Sequence, residues 1–400
     1  MKKTIFCIFT ALFLSLGAFA SVTVEDESYY ARFKDSKITL NVYNWGEYIS
    51  DGSEGSMDII KEFEDISGIN VNYTTYETNE DLYAKLSSSN SRYDIIIPSD
   101  YMIARMIDED MLEEINFENI PNIKLIDSQY LKTDFDPDGK YSVPYTWGTV
   151  GVIYNKKYVD EADIGSWDLL WNEKYSGKIL MFSNSRDAFG IALKKLGYSL
   201  NTTDETEIRK AADELKKQKP LVQAYVMDRV FDKMEGESAY VATYYAGDCL
   251  TMMEANPNLG FYYPEEGYNI FIDSVCIPKG SQNKEAAEAF INFLCETEVA
   301  AANCEYICYF TPQITASELV ETDERIIPDG ESLTVSESFI ALPADTNSLI
   351  DSLWIEIKSG LGSDNFSSSI IPVAIIIGLG VIILIILSVI RSKKKKKLNY

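Results

Sequence analysis

An apolar segment near the C-terminus limits what this chain can fold into. Residues 370–390 are 21 uncharged, mostly apolar residues, and Arg391 and the lysines 393–397 follow directly. About 20 apolar residues suffice for a helix to cross the ~30 Å hydrocarbon core of a bilayer. A basic cluster beside such a helix is typical of the cytoplasmic side. We predict a transmembrane helix at 370–390, a cytoplasmic tail at 391–400 and an extracytoplasmic domain before them.

The N-terminus supports this topology. Lys2 and Lys3 precede an apolar stretch at 5–16, and Ala18-Phe19-Ala20 has the small-x-small pattern of a signal-peptidase site. We predict a signal peptide at 1–20, cleaved after Ala20. The single cysteine of this segment, Cys7, lies inside the apolar stretch, so we expect no lipid anchor at this end.

The segment between these two regions is strongly acidic. Residues 21–369 contain 28 Lys and Arg against 62 Asp and Glu, a formal net charge of −34. A negative field of this size repels nucleic acid and attracts cations. The charge therefore disfavours nucleotide and phosphate ligands and admits an amine or polycation.

The residue types that are missing exclude several kinds of chemistry. The chain has no histidine, which excludes Ser-His-Asp and Cys-His catalysis and histidine metal sites. Five cysteines follow the signal segment without a CxxC pair, which disfavours a disulfide framework and a zinc site. A P-loop is also absent. We expect no enzyme activity, no cofactor and no metal, and a monomer.

The order of predicted elements indicates an α/β fold. After a polar spacer at 21–36, apolar spacing predicts strands at 38–43, 69–76 and 93–97 and helices at 57–66 and 81–87. Such alternation favours a parallel sheet covered by helices. Roughly 350 residues exceed the usual size of one core, so we expect two lobes.

The second half of the domain continues the alternation. We predict strands at 141–155, 178–182, 239–245, 259–263 and 271–278, and helices at 166–170, 188–196, 204–217 and 284–295. Residues 361–369 form a predicted flexible linker to the membrane.

Several predicted loops combine aromatic and acidic residues. The loops at 44–48 and 98–101 follow strands, and similar mixtures occur at 186–187, 244–248, 271–273 and around Tyr309. Open α/β sheets bind ligands beyond the carboxyl ends of their strands.

An organic cation fits this mixture. Buried ammonium groups require carboxylates, and aromatic rings attract cations by ~0.5–2 kcal/mol per contact. A ferric site at Tyr244-Tyr245 or Tyr262-Tyr263 is disfavoured, because neighbours in a strand point to opposite faces.

Six segments carry a family resemblance. In chain order they are NVYNWGEYI, YDIIIPSDYM, YSVPYTWGTVGVIYN, KKLGYSLNTTD, GFYYPEEGYNIFIDSVCIPKGSQNKEAAEAFINFL and EYICYFTPQ. Over residues 37–360 the chain resembles the spermidine/putrescine-binding proteins of ABC transporters. The resemblance implies a two-lobed, type II periplasmic-binding-protein fold, with lobe 1 at 37–145 and 274–312 and lobe 2 at 146–273 and 313–360. It also implies ABC permease subunits and a cytoplasmic ATPase as partners.

The resemblance also implies roles for eleven residues. Trp45, Tyr48 and Tyr309 would flank the alkyl chain of a polyamine, and Ser99 and Tyr101 would line the pocket. Glu47, Asp187, Asp248 and Asp273 would bind the amines. Tyr245 and Phe271 would complete the aromatic box.

The chain departs from the family pattern at some of these positions. The family often has Trp where Tyr245 and Phe271 stand, a carboxylate near Asn184 and a Gln near Ile340. The preferred polyamine therefore stays open. Three other functions remain as alternatives: a non-transport sensor ectodomain, a binder of another cationic solute, and a hydrolase using paired carboxylates such as Asp187 and Asp273.

Overall fold

The computed structural model describes residues 22–88, 92–328 and 330–360. In these ranges no helix has both the length and the apolar character needed to cross a membrane. The predicted signal peptide (1–20), linker (361–369), span (370–390) and tail (391–400) lie outside the described residues and stay predictions.

One mixed sheet of nine strands forms the centre of the described chain, in the order β2-β1-β3-β9-β4-β7-β5-β6, with β8 paired to β4. The strands are β1 Thr39–Trp45, β2 Asn70–Tyr76, β3 Ile95–Ile96, β4 Ser142–Asn155, β5 Ile179–Phe182, β6 Val222–Val226, β7 Val241–Tyr245, β8 Leu259–Tyr262 and β9 Ile270–Cys276.

Thirteen α-helices accompany these strands in the described ranges. They are α1 Glu27–Ala31, α2 Ile59–Ser67, α3 Asn79–Ser87, α4 Asp100–Asp108, α5 Ser185–Lys195, α6 Glu205–Gln218, α7 Arg229–Glu235, α8 Ala246–Ala255, α9 Lys284–Leu294, α10 Thr297–Ile307, α11 Ile314–Leu319, α12 Gly330–Thr334 and α13 Ala344–Ser359.

The predicted parallel sheet is confirmed only for part of the molecule. Strand β1 pairs in parallel with β2 and β3, and β5 pairs in parallel with β6 and β7. The central pairs β3–β9, β9–β4 and β4–β7 are antiparallel. The sheet is mixed because β4 and β9 lie side by side in its centre and run in opposite directions.

The β4–β9 pair joins the two ends of the sheet. The first part of β4, Ser142 to Thr149, pairs with β9, and the second part, Val150 to Asn155, pairs with β7 and β8. A register shift between Pro144 and Thr146 interrupts the β4–β9 ladder. Proline lacks the N–H that a regular ladder requires, which explains an irregularity at this point.

Local sequence explains the elements at the start of the domain. Helix α2 begins after Asp58, whose side chain accepts a hydrogen bond from Lys61 N at 3.0 Å, and it ends at Gly68 with φ +73°. Aspartate is a favoured N-cap, and a left-handed C-terminal residue is best supplied by glycine. The predicted helix end at Gly68 is confirmed.

The segment predicted as a polar spacer, 21–36, contains packed structure. Its helix α1 buries Tyr30 completely, and the Tyr30 hydroxyl donates to Glu296 Oε1 at 2.6 Å. Asn292 Nδ2 donates to the same hydroxyl at 2.7 Å, and the backbone N–H of Glu25 donates to Glu296 Oε2 at 2.9 Å. These contacts fasten residues 22–33 to α9 and α10, because a buried polar group is stable only when it is hydrogen-bonded.

Three predicted loops contain helix starts, among them 98–101, where α4 begins at Asp100, and one predicted helix is of the 3₁₀ type. Asn184 caps α5 by accepting from Asp187 N at 2.8 Å, so the predicted loop 186–187 is the first turn of that helix. The predicted loop 244–248 consists of the end of β7 and the first turn of α8. The helix predicted at 166–170 is a single 3₁₀ segment, Trp167–Trp171, because Ser166 and Asn172 both hydrogen-bond to nearby backbone N–H groups.

Candidate functional site

A cleft lies where the ends of the strands meet the first turns of three helices. Its empty space is about 620 Å³, including the part open to solvent, and all eleven residues suggested by the sequence line it. The carboxyl ends of β1 and β7 reach the cleft, and so do the N-termini of α4, α5 and α8. Helix N-termini carry partial positive charge, which stabilises carboxylates in the first turn. The cleft therefore lies at strand ends, where the sequence predicts a ligand site.

Trp45 and Tyr48 form one wall. Trp45 ends β1, and its indole Nε1 donates to the Ile97 carbonyl at 2.8 Å, which fixes the ring. Tyr48 is 5% exposed and packs edge-on against Tyr309, with ring centroids 5.0 Å apart. The turn between them carries Glu47 in the left-handed region at φ +47° with an exposed side chain. This wall presents aromatic surface beside an exposed carboxylate.

Asp273 lies at the bottom of the cleft on β9. It is 4% exposed, and Oδ2 accepts from the Tyr48 hydroxyl at 2.8 Å. That hydroxyl also contacts the Thr146 hydroxyl. Burial raises the pKa of Asp273 to about 6. The carboxyl is thus held in place by one donor while its other oxygen, Oδ1, has no hydrogen-bond partner in the described chain.

Asp187 and Tyr245 form a second polar group. Asp187 Oδ2 accepts from Asn184 Nδ2 at 2.7 Å and from the Tyr245 hydroxyl at 3.1 Å. Burial raises the pKa of Asp187 above its usual value. The Tyr245 ring lies edge-on to Phe271 at 5.3 Å, and Phe271 lies 6.1 Å from the Tyr309 ring. The three rings therefore form a continuous aromatic surface beside the Asp187 carboxyl.

Asp248 and Tyr309 line another side of the cleft. Asp248 lies in the first turn of α8, and its Oδ2 accepts from the Tyr309 hydroxyl at 2.9 Å. Burial raises the pKa of Asp248 to about 8, although the side chain remains partly open to the cleft. The carboxyl can therefore hold a proton at neutral pH when no cation is present.

Ser99 and Tyr101 line the cleft from the start of α4. The Tyr101 hydroxyl donates to Glu80 Oε1 at 3.1 Å and accepts from Asn79 Nδ2 at 3.1 Å. Ser99 is bridged to Asp273 across the sheet edge. Both residues line the cleft, where the sequence places them.

Sequence reasoning missed nine lining residues: Gly46, Asn79, Asp100, Met227, Asp228, Phe231, Tyr244, Asn269 and Phe339. Asp228 and Phe231 belong to a strand–helix unit, β6–α7, that was not predicted, so their signal was not visible. Asn269 could have been found, because it directly precedes β9 and continues the alternation of Phe271 and Asp273 along that strand.

Tyr244 and Tyr245 do not point to opposite faces, although nothing in the described ranges brings their hydroxyls together on one metal. Both line the cleft, with ring centroids 5.0 Å apart, because β7 ends here and the chain turns into α8. Their hydroxyls nevertheless diverge. The Tyr244 hydroxyl donates to Asp228 at 3.4 Å and the Tyr245 hydroxyl donates to Asp187.

The lining has a uniform chemical character. Of its twenty residues six are Asp or Glu, nine are aromatic and none is Lys or Arg. Three oxygens of lining residues are buried without a hydrogen-bond partner in the described part of the chain: Asp100 Oδ2, Asn269 Oδ1 and Asp273 Oδ1. Buried acceptors normally have donors. The lining therefore lacks basic side chains, and these three oxygens lack donors, both of which a cationic ligand with several N–H groups would supply.

The cysteines of the described ranges form no disulfide. Cys249, Cys276, Cys295, Cys304 and Cys308 are free thiols. The same ranges contain no group of three or more Cys, Asp or Glu side chains placed to hold a metal ion.

Comparison with known proteins identifies the family. The profile described as bacterial extracellular solute-binding protein matches residues 58–327. The spermidine/putrescine-binding periplasmic protein of Escherichia coli K12 is 37% identical over 313 residues, covering 77% of this chain and 88% of that protein. The putrescine-binding periplasmic protein SpuD of Pseudomonas aeruginosa is 30% identical over 352 residues, covering 82% and 94%.

A solved structure agrees with these matches. The spermidine/putrescine ABC transporter substrate-binding protein PotD of Streptococcus pneumoniae, in complex with calcium and HEPES, has a TM-score of 0.66 at 35% identity, covering 80% of this chain and 99% of that chain. The comparisons confirm the family that the sequence resembles, and with it the prediction of a binding protein in place of an enzyme. The chain belongs to the bacterial extracellular solute-binding protein family, in its spermidine/putrescine-binding branch, and has the α/β fold of periplasmic binding proteins.

Proposed function

We propose that this protein is the membrane-anchored substrate-binding subunit of a polyamine importer, with putrescine or spermidine as ligand. One observation carries the proposal: a cleft with six carboxylates, nine aromatic rings and no basic residue contains buried oxygens that lack donors. Ammonium groups supply N–H donors and charge. The methylenes between them require apolar faces, which the rings supply. The names of the relatives from Escherichia coli and Pseudomonas aeruginosa support the same ligand class.

The residue roles follow from these positions. Trp45, Tyr48 and Tyr309 flank the alkyl chain, while Ser99 and Tyr101 line the pocket. The amines are bound by Glu47, Asp187, Asp248 and Asp273, and Tyr245 and Phe271 complete the aromatic box. Support comes from the direct hydrogen bonds that hold three of these carboxylates beside aromatic hydroxyls.

Lobe movement would bring the ligand to the transporter. We assign lobe 1 to 37–145 and 274–312 and lobe 2 to 146–273 and 313–360, with the crossings near Pro144 and Asp273. The central position of β4 and β9, and the register shift beside Pro144, favour these crossings. Closure around a polyamine would present it to a permease pair that is driven by a cytoplasmic ATPase.

The proposed anchor is the apolar segment 370–390. With a signal peptide at 1–20 and a basic tail at 391–400, it would keep the binding domain extracytoplasmic and near the permease. The family description as extracellular supports the location of the domain. A tether of this kind suits a cell with a single membrane, from which a free binding protein would diffuse away.

Titration calorimetry tests the ligand class. The full-length protein in detergent is titrated with putrescine, spermidine, spermine and, as a control, glutamate. We expect saturable heat at micromolar concentration with at least one polyamine and none with glutamate. Absence of heat with all three polyamines would sink the proposal. If only another organic cation saturates the protein, the ligand is a different cationic solute and not a polyamine.

Trp45→Ala tests the site, and Asp65→Asn is the control. Asp65 lies on the exposed surface of α2, where it pairs with Lys61, and it does not line the cleft. Removal of the Trp45 ring should weaken polyamine binding by roughly tenfold, since one cation–π wall is lost. The site assignment is refuted if Trp45→Ala keeps full affinity.

A further inference from the structure

One short segment, residues 183–185, orients the carboxyl of Asp187. The Asn184 side chain accepts a hydrogen bond from Asp187 N at 2.8 Å, and its Nδ2 donates to Asp187 Oδ2 at 2.7 Å. Asn184 therefore holds both the backbone and the carboxyl of Asp187. The direction of this carboxyl depends in turn on the contacts that hold residues 183–185, which connect β5 to α5.

Two side chains of the C-terminal helix α13 hold the first residue of this segment. Trp354 Nε1 and Lys358 Nζ both donate to the Ser183 carbonyl, at 3.1 and 3.2 Å. The Ser183 N–H donates to the Val226 carbonyl of β6 at 3.1 Å. Trp354 is 6% exposed, and its ring packs edge-on against Tyr225 with centroids 5.2 Å apart. Ser183 is thus bound by β6 through its N–H and by α13 through its carbonyl.

A third side chain of α13 holds the other end of the segment. Ser185 Oγ donates to Asp351 Oδ1 at 3.1 Å, and Ser185 is 5% exposed at the start of α5. Residues 351, 354 and 358 are three and four positions apart, so their side chains lie on one face of α13. This face contacts both ends of the segment and leaves Asn184, between them, to bond Asp187.

Helix α13 is itself fastened to α6. Lys216 Nζ lies 3.1 Å from Glu356 Oε1, and Lys219 Nζ donates to the carbonyls of Ile357 and Lys358, the latter at 2.9 Å. Cations at a helix C-terminus are stabilising, because the last carbonyls there have no partner within the helix. These contacts hold α13 in one position on the β5–β6 end of the sheet.

We propose that Trp354 and Lys358 are positioning residues for polyamine binding, which keep the Asp187 carboxyl directed into the cleft by holding the Ser183 carbonyl. The inference rests on the proposed function and adds the residues that support one of its amine positions. Neither residue lines the cleft, so an effect on affinity must pass through residues 183–187. A carboxyl that is already ordered binds an ammonium group at a lower entropic cost.

A double-mutant cycle separates positioning from stability. Trp354→Phe combined with Lys358→Met removes both donors to the Ser183 carbonyl and keeps an aromatic ring and an unbranched side chain. Calorimetric titration of the full-length protein in detergent should show putrescine or spermidine binding roughly three- to tenfold weaker, as for loss of about one hydrogen bond. In an Asp187→Asn background the same double change should cost less than about twofold, because the oriented carboxylate is already missing.

Trp171→Phe is the matched control. Trp171 is a partly buried residue outside the cleft, and its Nε1 donates to the Glu214 carbonyl of α6 at 3.0 Å. The control loses the same kind of hydrogen bond, so it should lower Tm comparably and leave polyamine affinity unchanged. If the double variant does not fold, Trp354→Phe alone gives the same comparison.

Amide hydrogen exchange tests the positioning in the empty protein. The Asp187 N–H is protected by its hydrogen bond to Asn184 Oδ1. Loosening of residues 183–185 should let this bond open more often. We expect faster exchange of the Asp187 amide in the Trp354→Phe/Lys358→Met protein than in the parent, and parent-like exchange in Trp171→Phe.

The possible results separate the two proposals. Absence of polyamine heat in the parent overturns the proposed function, whereas the exchange rate still decides whether α13 holds the segment. If the parent binds polyamine but the α13 variant binds as tightly, loses as much affinity without the Asp187 carboxylate, or exchanges the Asp187 amide at the parent rate, the positioning role is wrong. Full affinity of Asp187→Asn alone would overturn it too.

Discussion

Substitution of Asp273 by Asn separates ligand binding from stability. The change keeps the size of a side chain that is 4% exposed and removes its charge. The proposed ammonium partner then loses a buried, hydrogen-bonded counter-charge, which typically costs ~2–5 kcal/mol of binding free energy. We expect polyamine affinity to fall roughly 30-fold to a few thousandfold.

The stability of the empty protein should change in the opposite direction. The pKa of Asp273 is about 6 in the folded protein against a usual 3.8. The folded state thus holds the proton more tightly, so stability falls as the pH rises from 3.8 to about 6, and the loss is complete at pH 7. A pKa difference of about two units corresponds to at most ~3 kcal/mol of the free energy of unfolding.

Removing the charge of Asp273 recovers this stability, but the weakened hydrogen bond from Tyr48 offsets part of the gain. Tyr48 donates to Asp273 at 2.8 Å, and an amide oxygen is a weaker acceptor than a carboxylate by ~1 kcal/mol. We expect Asp273→Asn to be ~1–2 kcal/mol more stable when empty, with Tm higher by a few degrees.

Two assays decide the outcome. Calorimetric titration gives the affinity, and differential scanning calorimetry without ligand gives Tm at pH 7. The matched control is Asp65→Asn, an exposed carboxylate on α2, which should alter neither quantity measurably. If Asp273→Asn lowers affinity and Tm together, Asp273 has a structural role, and if affinity is unchanged, it does not bind the ligand.

Three further predictions concern the Asp248 side of the cleft. Tyr309→Phe removes the hydroxyl that donates to Asp248, so polyamine affinity should fall roughly tenfold by calorimetry, and unchanged affinity would contradict the contact. Because the pKa of Asp248 is about 8 in the empty cleft and a bound ammonium favours the carboxylate, affinity should fall up to ~100-fold between pH 8 and pH 6, measured in a pH series. A flat profile, or tighter binding at low pH, would refute this assignment. Gly247→Ala would place a Cβ 2.6 Å from the Cys308 carbonyl oxygen and 2.5 Å from the Tyr309 ring. We expect a stability loss of ~1–3 kcal/mol with weaker binding, seen as lower Tm and higher Kd.

Much of the first part of the fold could be read from local patterns. The strands at β1 and β2 and the helix between them follow from alternating and helical apolar spacing, and Gly68 marks the helix end as predicted. The helix start at Ser185 could not be read in the same way. It depends on the hydrogen bond that the Asn184 side chain accepts from Asp187 N. Asparagine also favours turns, so the local sequence does not distinguish a helix start from a loop here.

The residues of the candidate site also fall into those that the sequence indicates and those that only the structure reveals. The eleven suggested residues come from the resemblance and from aromatic and acidic residues at strand ends, and all of them line one cleft. Asp100 stands in the same predicted loop as Tyr101, and Asn269 alternates with Phe271, yet neither was among the eleven. Their place in the lining depends on the packing of α4 against β9.

The sequence by itself determined the family, the acidic character of the domain and the residue types around its cleft, because these depend on composition and on ordered motifs. Its apolar segment at 370–390 also predicts an anchor, outside the described residues. Only the tertiary structure decided that β4 and β9 run antiparallel through a mixed sheet, and that Ser99 lies beside Asp273. The physical reason is that charge and hydropathy are properties of the chain. Strand direction and burial arise from contacts between residues far apart in the chain, such as Ser142 with Cys276, 134 positions later.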